Sequence, residues 1–180
     1  MKYIIRLILI LLLFQSCSKQ IDNKSLIKEV NQEQEMISAY MEGVKFLEEG
    51  DTFYAAKKFL EAELLLPRSD WAPKSALMAA YSYYIQDYYA EAIFNLERFI
   101  NSYPKNERMD YAHYLLAMCF YEEIENEKKD LQPLISAKRE FNYVISNYPD
   151  TDFSEDSKFK IDLINEVLAA KEMYLGRHYI

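Results

Sequence analysis

Glycine and proline are scarce, three and five among 180 residues, so few sharp turns are available to the chain. There are only two histidines, His113 and His178, and two cysteines, Cys17 and Cys119. No HExxH, CxxC, GxSxG, GxGxxG or P-loop spacing occurs, and no loop has the ligand spacing of a calcium site. An enzyme, a resident metal and a soluble cofactor are therefore not expected. Basic runs are also missing. The formal charge is −8, and because Lys2 and Arg6 fall in the first sixteen residues, the remainder carries −10. Such a chain lacks the phosphate-neutralising surface that nucleic-acid binding needs. Finally, no stretch alternates with period two for long enough to make a strand.

What is abundant points the other way. Leu, Ala, Glu, Lys and Met favour helices, and 51% hydrophobic residues suffice for a core. The opening "MKYIIRLILILLLFQSC" has a positive end and an apolar stretch too short for a permanent span, as in a signal peptide. The cysteine behind it resembles a bacterial lipoprotein box. Ser16 fits that pattern, whereas Phe14 and Gln15 depart from it. The expectation is a signal peptide over 1–16, lipidation of Cys17 by a diacylglyceryl group and an N-acyl chain, and a tether over 17–32. Several acyl chains make a stable anchor. Ser18, in place of Asp, points to the outer membrane by enterobacterial-type sorting; a plain signal anchor is the rival. With Cys17 lipidated no intrachain disulfide remains, and Cys119 reads as a small core residue.

From Glu35 onward the apolar spacing is helical, predicting helices at about 35–49, 52–65, 72–86, 88–102, 108–125, 133–147 and 153–178. Gly50-Asp51 can turn the chain. Pro67, Pro104 and Pro149 close helices, and Asp152 and Ser154 are candidate caps for the last one. The prolines also mark a repeat. Gly43, Phe46, Gly50, Ala55, Phe59, Ala62 and Pro67 shift by 37 positions onto Ala80, Tyr83, Asp87, Ala92, Leu96, Phe99 and Pro104. Ala117 and Phe120 follow after another 37, then Ala137, Phe141, Val144 and Pro149 after 45. This spacing resembles the tetratricopeptide signature, in which small residues let the two helices of a pair approach and pairs stack into a solenoid. The fold class is thus all-α: an α-α superhelix of three complete pairs plus a long final helix. Its repeats fall at about 35–67, 72–104 and 109–149, with a partial one at 153–180 inside a domain of 33–180. The extra residues near "NEKKDLQP" read as an exposed charged loop. Leu175-Gly176 and Tyr179 look like the start of a further repeat, so the sequence reads as ending within the fourth.

The first helix of each pair lines the concave side of such a solenoid. Its inward positions give three rows: Ile37, Tyr40, Val44 and Leu47; Lys74, Leu77, Tyr81 and Tyr84; Tyr111, Tyr114, Met118 and Tyr121. A concave face this apolar and aromatic marks a binding surface for a short apolar or aromatic peptide. The alternative for any one residue is packing against the neighbouring first helix. The run "YSYYIQDYYAEAI" divides on this frame. Tyr83 and Tyr89 fall in the core, Tyr81 and Tyr84 on the concave row, and Tyr88 at a partly exposed turn. His113 falls where it packs on its partner helix.

The segments "SDWAPKSALMAAYSYY", "YAEAIFNLERFINSYP", "MDYAHYLLAMCFYEEI" and "FKIDLINEVLAAKEMYLGRHYI", behind a lipobox and a short tether, resemble the BamD family from about residue 33 to the end. The family's lipoproteins serve β-barrel assembly in the Gram-negative outer membrane. The resemblance implies a periplasmic scaffold with the barrel subunit BamA, other assembly lipoproteins and C-terminal segments of unfolded outer-membrane proteins as partners. The family usually has five repeats. Its later ones dock on the barrel subunit, and that region is largely missing from this sequence. Another periplasmic tetratricopeptide lipoprotein, or a peptide-binding adaptor in envelope maintenance or division, is the alternative.

Overall fold

Ala55, Ala92 and Ala137 are all fully buried; opposite them Ala80 and Ala117 are fully buried and Gly43 is buried. The large residues set between them, Phe59, Leu96 and Phe141, are fully buried too. The repeat inferred from spacing is therefore the repeat of the core. The computed structural model describes residues 24–123 and 131–178. Residues 32–180 make one compact unit, and of the stretch before it 24–31 are described, as helix. Seven helices appear among the described residues: α1 Lys24–Glu48, α2 Thr52–Leu65, α3 Trp71–Tyr84, α4 Tyr89–Ser102, α5 Met109–Glu122, α6 Gln132–Asn147 and α7 Asp152–His178. From α2 onward each packs on the next, and α3, α5 and α7 also touch in sequence. That neighbour-only pattern is a stack of pairs. The fold class is as expected, including the long last helix.

The turns follow from the residues at them. Gly50 takes the left-handed backbone at φ 82° and Asp51 caps α2, accepting from the Tyr54 N–H at 3.3 Å. The equivalent position 37 residues on is Asp87, which adopts φ 60° although it is not glycine. Asp tolerates this conformation better than most side chains. Its carboxylate also accepts a 2.7 Å bond from the Tyr89 hydroxyl. Pro67, Pro104 and Pro149 each lie one residue beyond a C-cap.

The structure differs from expectation at three places. The first helix begins at Lys24 rather than 35, so residues 24–32, expected as tether, are helical. Once the packed part of α1 is formed, extension upstream adds a hydrogen bond per residue, and no Gly or Pro stops it. Neither Asp152 nor Ser154 caps α7. Thr151 does, its Oγ1 accepting from the Ser154 N–H at 3.2 Å, while the Ser154 hydroxyl is buried without a partner. Tyr89 is half-buried, not core, because its hydroxyl is drawn to Asp87. Tyr83 is buried and Tyr88 exposed, as their positions predict. The signal peptide at 1–16, Cys17 with the start of the tether, most of the "NEKKDLQP" loop and Tyr179 lie outside the described residues.

Two buried polar contacts tie helices together. On α2, Glu63 is buried and accepts two 2.6 Å bonds from the Arg98 guanidinium of α4 and one of 2.7 Å from the Tyr103 hydroxyl. Burial, with the hydrogen bond to Glu63 adding to it, pushes the Tyr103 hydroxyl up to about 12. Between α5 and α6, His113 Nδ1 lies 2.8 Å from Glu140, whose other oxygen accepts from Arg139 at 3.0 Å. Burial alone would raise the Glu140 carboxyl. Hydrogen bonds with His113 and Arg139 outweigh it and leave the carboxyl below its ordinary value. His113 thus sits where its repeat position places it, against the partner helix.

Candidate functional site

The first helices of the second and third pairs, α3 and α5, wall a cavity of about 640 Å³. Its lining runs from Asp70, Pro73, Lys74, Leu77, Met78 and Tyr81 to Asn106, Glu107, Arg108 and Tyr111, with Phe153 of α7 closing one side. The volume is in the range of pockets that hold small ligands or a few residues of a peptide. Helical spacing explains the wall: Lys74, Leu77, Met78 and Tyr81 are three and four apart, so they share a face.

The predicted rows divide along their length. Leu77, Tyr81 and Tyr111 line the cavity, with Lys74 of the same row. Tyr84, Tyr114, Met118 and Tyr121 lie further along α3 and α5 and pack between helices, around Ala117, Phe141 and Ile164. Helix α7 accounts for much of this. Tyr114 donates a 2.8 Å hydrogen bond to Asp156 and stacks within 5.1 Å of Phe153, and the Lys160 ammonium lies 4.9 Å from the Tyr121 ring. In α1, Tyr40 meets Phe59 and Trp71 edge-on at 5.2 and 5.1 Å, and Val44 and Leu47 pack with it against the first pair's core. Ile37 is exposed.

Phe153, Arg108 and Met78 were not singled out from the sequence. Phe153 belongs to the following repeat, and Arg108 precedes its helix, so counting along a single helix face passes over both. Phe153 was legible in one respect, as an aromatic in the first turn of the expected last helix.

The tyrosines are weak acids held neutral. Burial pushes the Tyr84, Tyr111 and Tyr114 hydroxyls up from the ordinary phenol value, and Tyr114 is raised further by Asp156. Neutral phenols donate and accept at any pH the chain meets. Of the three, Tyr111 lines the cavity and sets such a group beside an apolar ring face.

Helix pairs stacked by small residues, with an aromatic cavity between successive first helices, define an α-α solenoid of the tetratricopeptide class. The solved first tetratricopeptide domain of Spaghetti (RPAP3), bound to an HSP90 peptide, is similar in fold. The likeness has a TM-score of 0.57 at 17% identity and covers 76% of this chain and 94% of that one. Within the class, the YfiO model, described as an outer membrane lipoprotein, matches residues 32–180, and the chain belongs to this family. Relatives named outer membrane protein assembly factor BamD are also similar to it. The one from Caulobacter vibrioides is 38% identical over 78% of this chain, and the one from Rickettsia prowazekii 32% identical over 99%. A third, from Neisseria gonorrhoeae, is 24% identical over 84% of the chain. The chain spans about half of the Caulobacter relative's length, 46%, and 69% of the Rickettsia relative's.

Proposed function

We propose that the protein is a lipid-anchored scaffold on the periplasmic face of the outer membrane. There it helps assemble β-barrel proteins by holding short apolar or aromatic segments of unfolded clients. The single observation that carries the binding role is the cavity between α3 and α5, which Leu77, Tyr81, Tyr111 and Phe153 line together, whereas the other concave aromatics are half-buried in packing between helices. The family and its assembly-factor relatives support the setting. The partners are the barrel subunit BamA and the other lipoproteins of that machinery. The anchor is the acylated Cys17.

Tyr81→Ala combined with Tyr111→Ala tests the groove. Both rings line the cavity and are half-buried, so the fold should tolerate the pair better than a core truncation. Losing two aromatic contacts should weaken an aromatic peptide by about tenfold or more. Unchanged affinity in a fully helical variant would overturn the reading. The anchor is tested separately in cells. Cys17→Ala should leave the precursor uncleaved or release the protein from membranes, and normal processing with membrane retention would refute lipidation.

A further inference from the structure

Among the described residues that line the groove, Phe153 alone comes from α7. Helix α5 grips it. The Phe153 ring lies 5.3 Å from Tyr111 and 5.1 Å from Tyr114. Those tyrosines are three apart on α5, so they share a face. Asp156 stands three residues beyond Phe153 on α7 and accepts a 2.8 Å hydrogen bond from the Tyr114 hydroxyl. Four side chains, two from each helix, thus form a clasp. Its inner half, Tyr111 with Phe153, is groove wall; its outer half, Tyr114 with Asp156, lies outside the lining.

The turn that carries Phe153 is seated at a cost. The Ser154 hydroxyl is fully buried without a partner, whereas the equally buried Ser157 hydroxyl donates to the Phe153 carbonyl at 2.6 Å. An unpaired buried hydroxyl opposes the position it occupies. The apolar anchor of α7 is elsewhere, at Ile164, fully buried with Ala117, Leu134 and Phe141 about three turns beyond Phe153. The start of α7 can therefore shift while its body stays packed.

We infer that Asp156 is a positioning residue for the groove: by holding the Tyr114 hydroxyl it keeps Phe153 against Tyr111, and it couples groove occupancy to the seating of α7. This rests on the reading of the groove as a peptide site. The bond needs an acceptor at residue 156, not a charge. The coupling is reciprocal. A ligand seated against Phe153 holds the start of α7 in place, and a displacement of α7 opens the groove.

The test measures a short labelled phenylalanine-rich peptide by fluorescence anisotropy on the full chain, with each variant verified as folded by circular dichroism. Tyr114→Phe keeps the ring and removes the hydroxyl, and Asp156→Leu removes the acceptor. Each should weaken the peptide about fivefold, the scale of one net hydrogen bond, and the double variant should bind no more weakly than either alone. Asp156→Asn keeps an acceptor and should stay within about twofold of the parent. Hydrogen exchange followed by mass spectrometry adds a readout that a merely structural bond would not move. The peptide should slow the amides in the first two turns of α7 in the parent, and not in Tyr114→Phe. Parent-like affinity in folded Tyr114→Phe and Asp156→Leu, or an equal loss in Asp156→Asn, overturns the positioning role and leaves the groove reading standing. Exchange at the start of α7 that ignores a bound peptide does the same. Failure of the peptide to bind the parent overturns both together.

Discussion

A chain carrying Gly43→Leu is expected to lose its first helix pair, seen as reduced helicity and a urea midpoint well below that of the parent. A Cβ at residue 43 would lie 2.9 Å from Cδ1 and Cε1 of Phe59 and 3.1 Å from its Cζ. The ring has no room to withdraw. It is fully buried, meets Tyr40 edge-on at 5.2 Å and packs with Ala55 and Ala79. Forcing extra carbon into a packed site costs about 1–3 kcal/mol, and more as the intruder grows. Removing glycine from a helix interior returns about 1 kcal/mol. Gly43→Ala should therefore be destabilising by about 1 kcal/mol, and Gly43→Leu by about 3 kcal/mol or more. Gly176→Ala is the internal control. Nothing lies within 4 Å of a Cβ built there, so the same propensity gain should appear without a clash. A parent-like midpoint for Gly43→Leu would mean that α1 and α2 do not approach as described.

The second large effect concerns Glu63. Arg98→Met leaves this carboxylate, only 7% exposed in its side chain, with the Tyr103 hydroxyl as its remaining described partner. Breaking a buried pair from one side costs about 3–5 kcal/mol in general. Arg98 is itself about one-third exposed, so water can reach part of the site, and the loss should fall toward the lower end, about 3 kcal/mol. Glu63→Met should cost less, about 1–2 kcal/mol, since the arginine can turn out to solvent and only its hydrogen bonds are lost. Carrying both changes should recover most of the stability, because an apolar pair of similar volume replaces a desolvated ionic one. Denaturation of the three variants gives a double-mutant cycle. Additive losses would sink the account, since they would mean the two side chains are not coupled.

How far the sequence carried this structure depended on whether a feature repeats. Ala55, Ala92 and Ala137 could be read from spacing because close approach of two helices admits only small residues, and the same approach occurs in every pair. The left-handed turn at Asp87 was implicit in its alignment with Gly50. The groove was half legible. Taking every third and fourth residue of a first helix as concave assumes that the neighbouring first helix leaves the whole row uncovered. In the structure the next one lies over the far end. It buries Met118, engages Tyr114 and Tyr121, and leaves Leu77, Tyr81 and Tyr111 beside the cavity. That crossing depends on the angle between pairs, which no local pattern encodes. The cap at Thr151 and the contribution of Phe153 were missed for a related reason. Both sit at the joint between repeats, where neighbouring units decide the geometry.

Cys119 is fully buried, and burial pushes its thiol up to about 12. A thiol reagent attacks only an exposed, ionised sulfur. It can therefore react here only in moments when α5 parts from the second pair, whose residues pack around it. Stacked repeats are able to open one section at a time, so those moments need not be global unfolding. The helix that carries this sulfur is also the one that presents Tyr111 and Tyr114. Its rate of chemical labelling thus gives a site-specific measure of breathing in the middle of the stack. A ligand seated against Tyr111 would be expected to slow that rate even if the average conformation did not change.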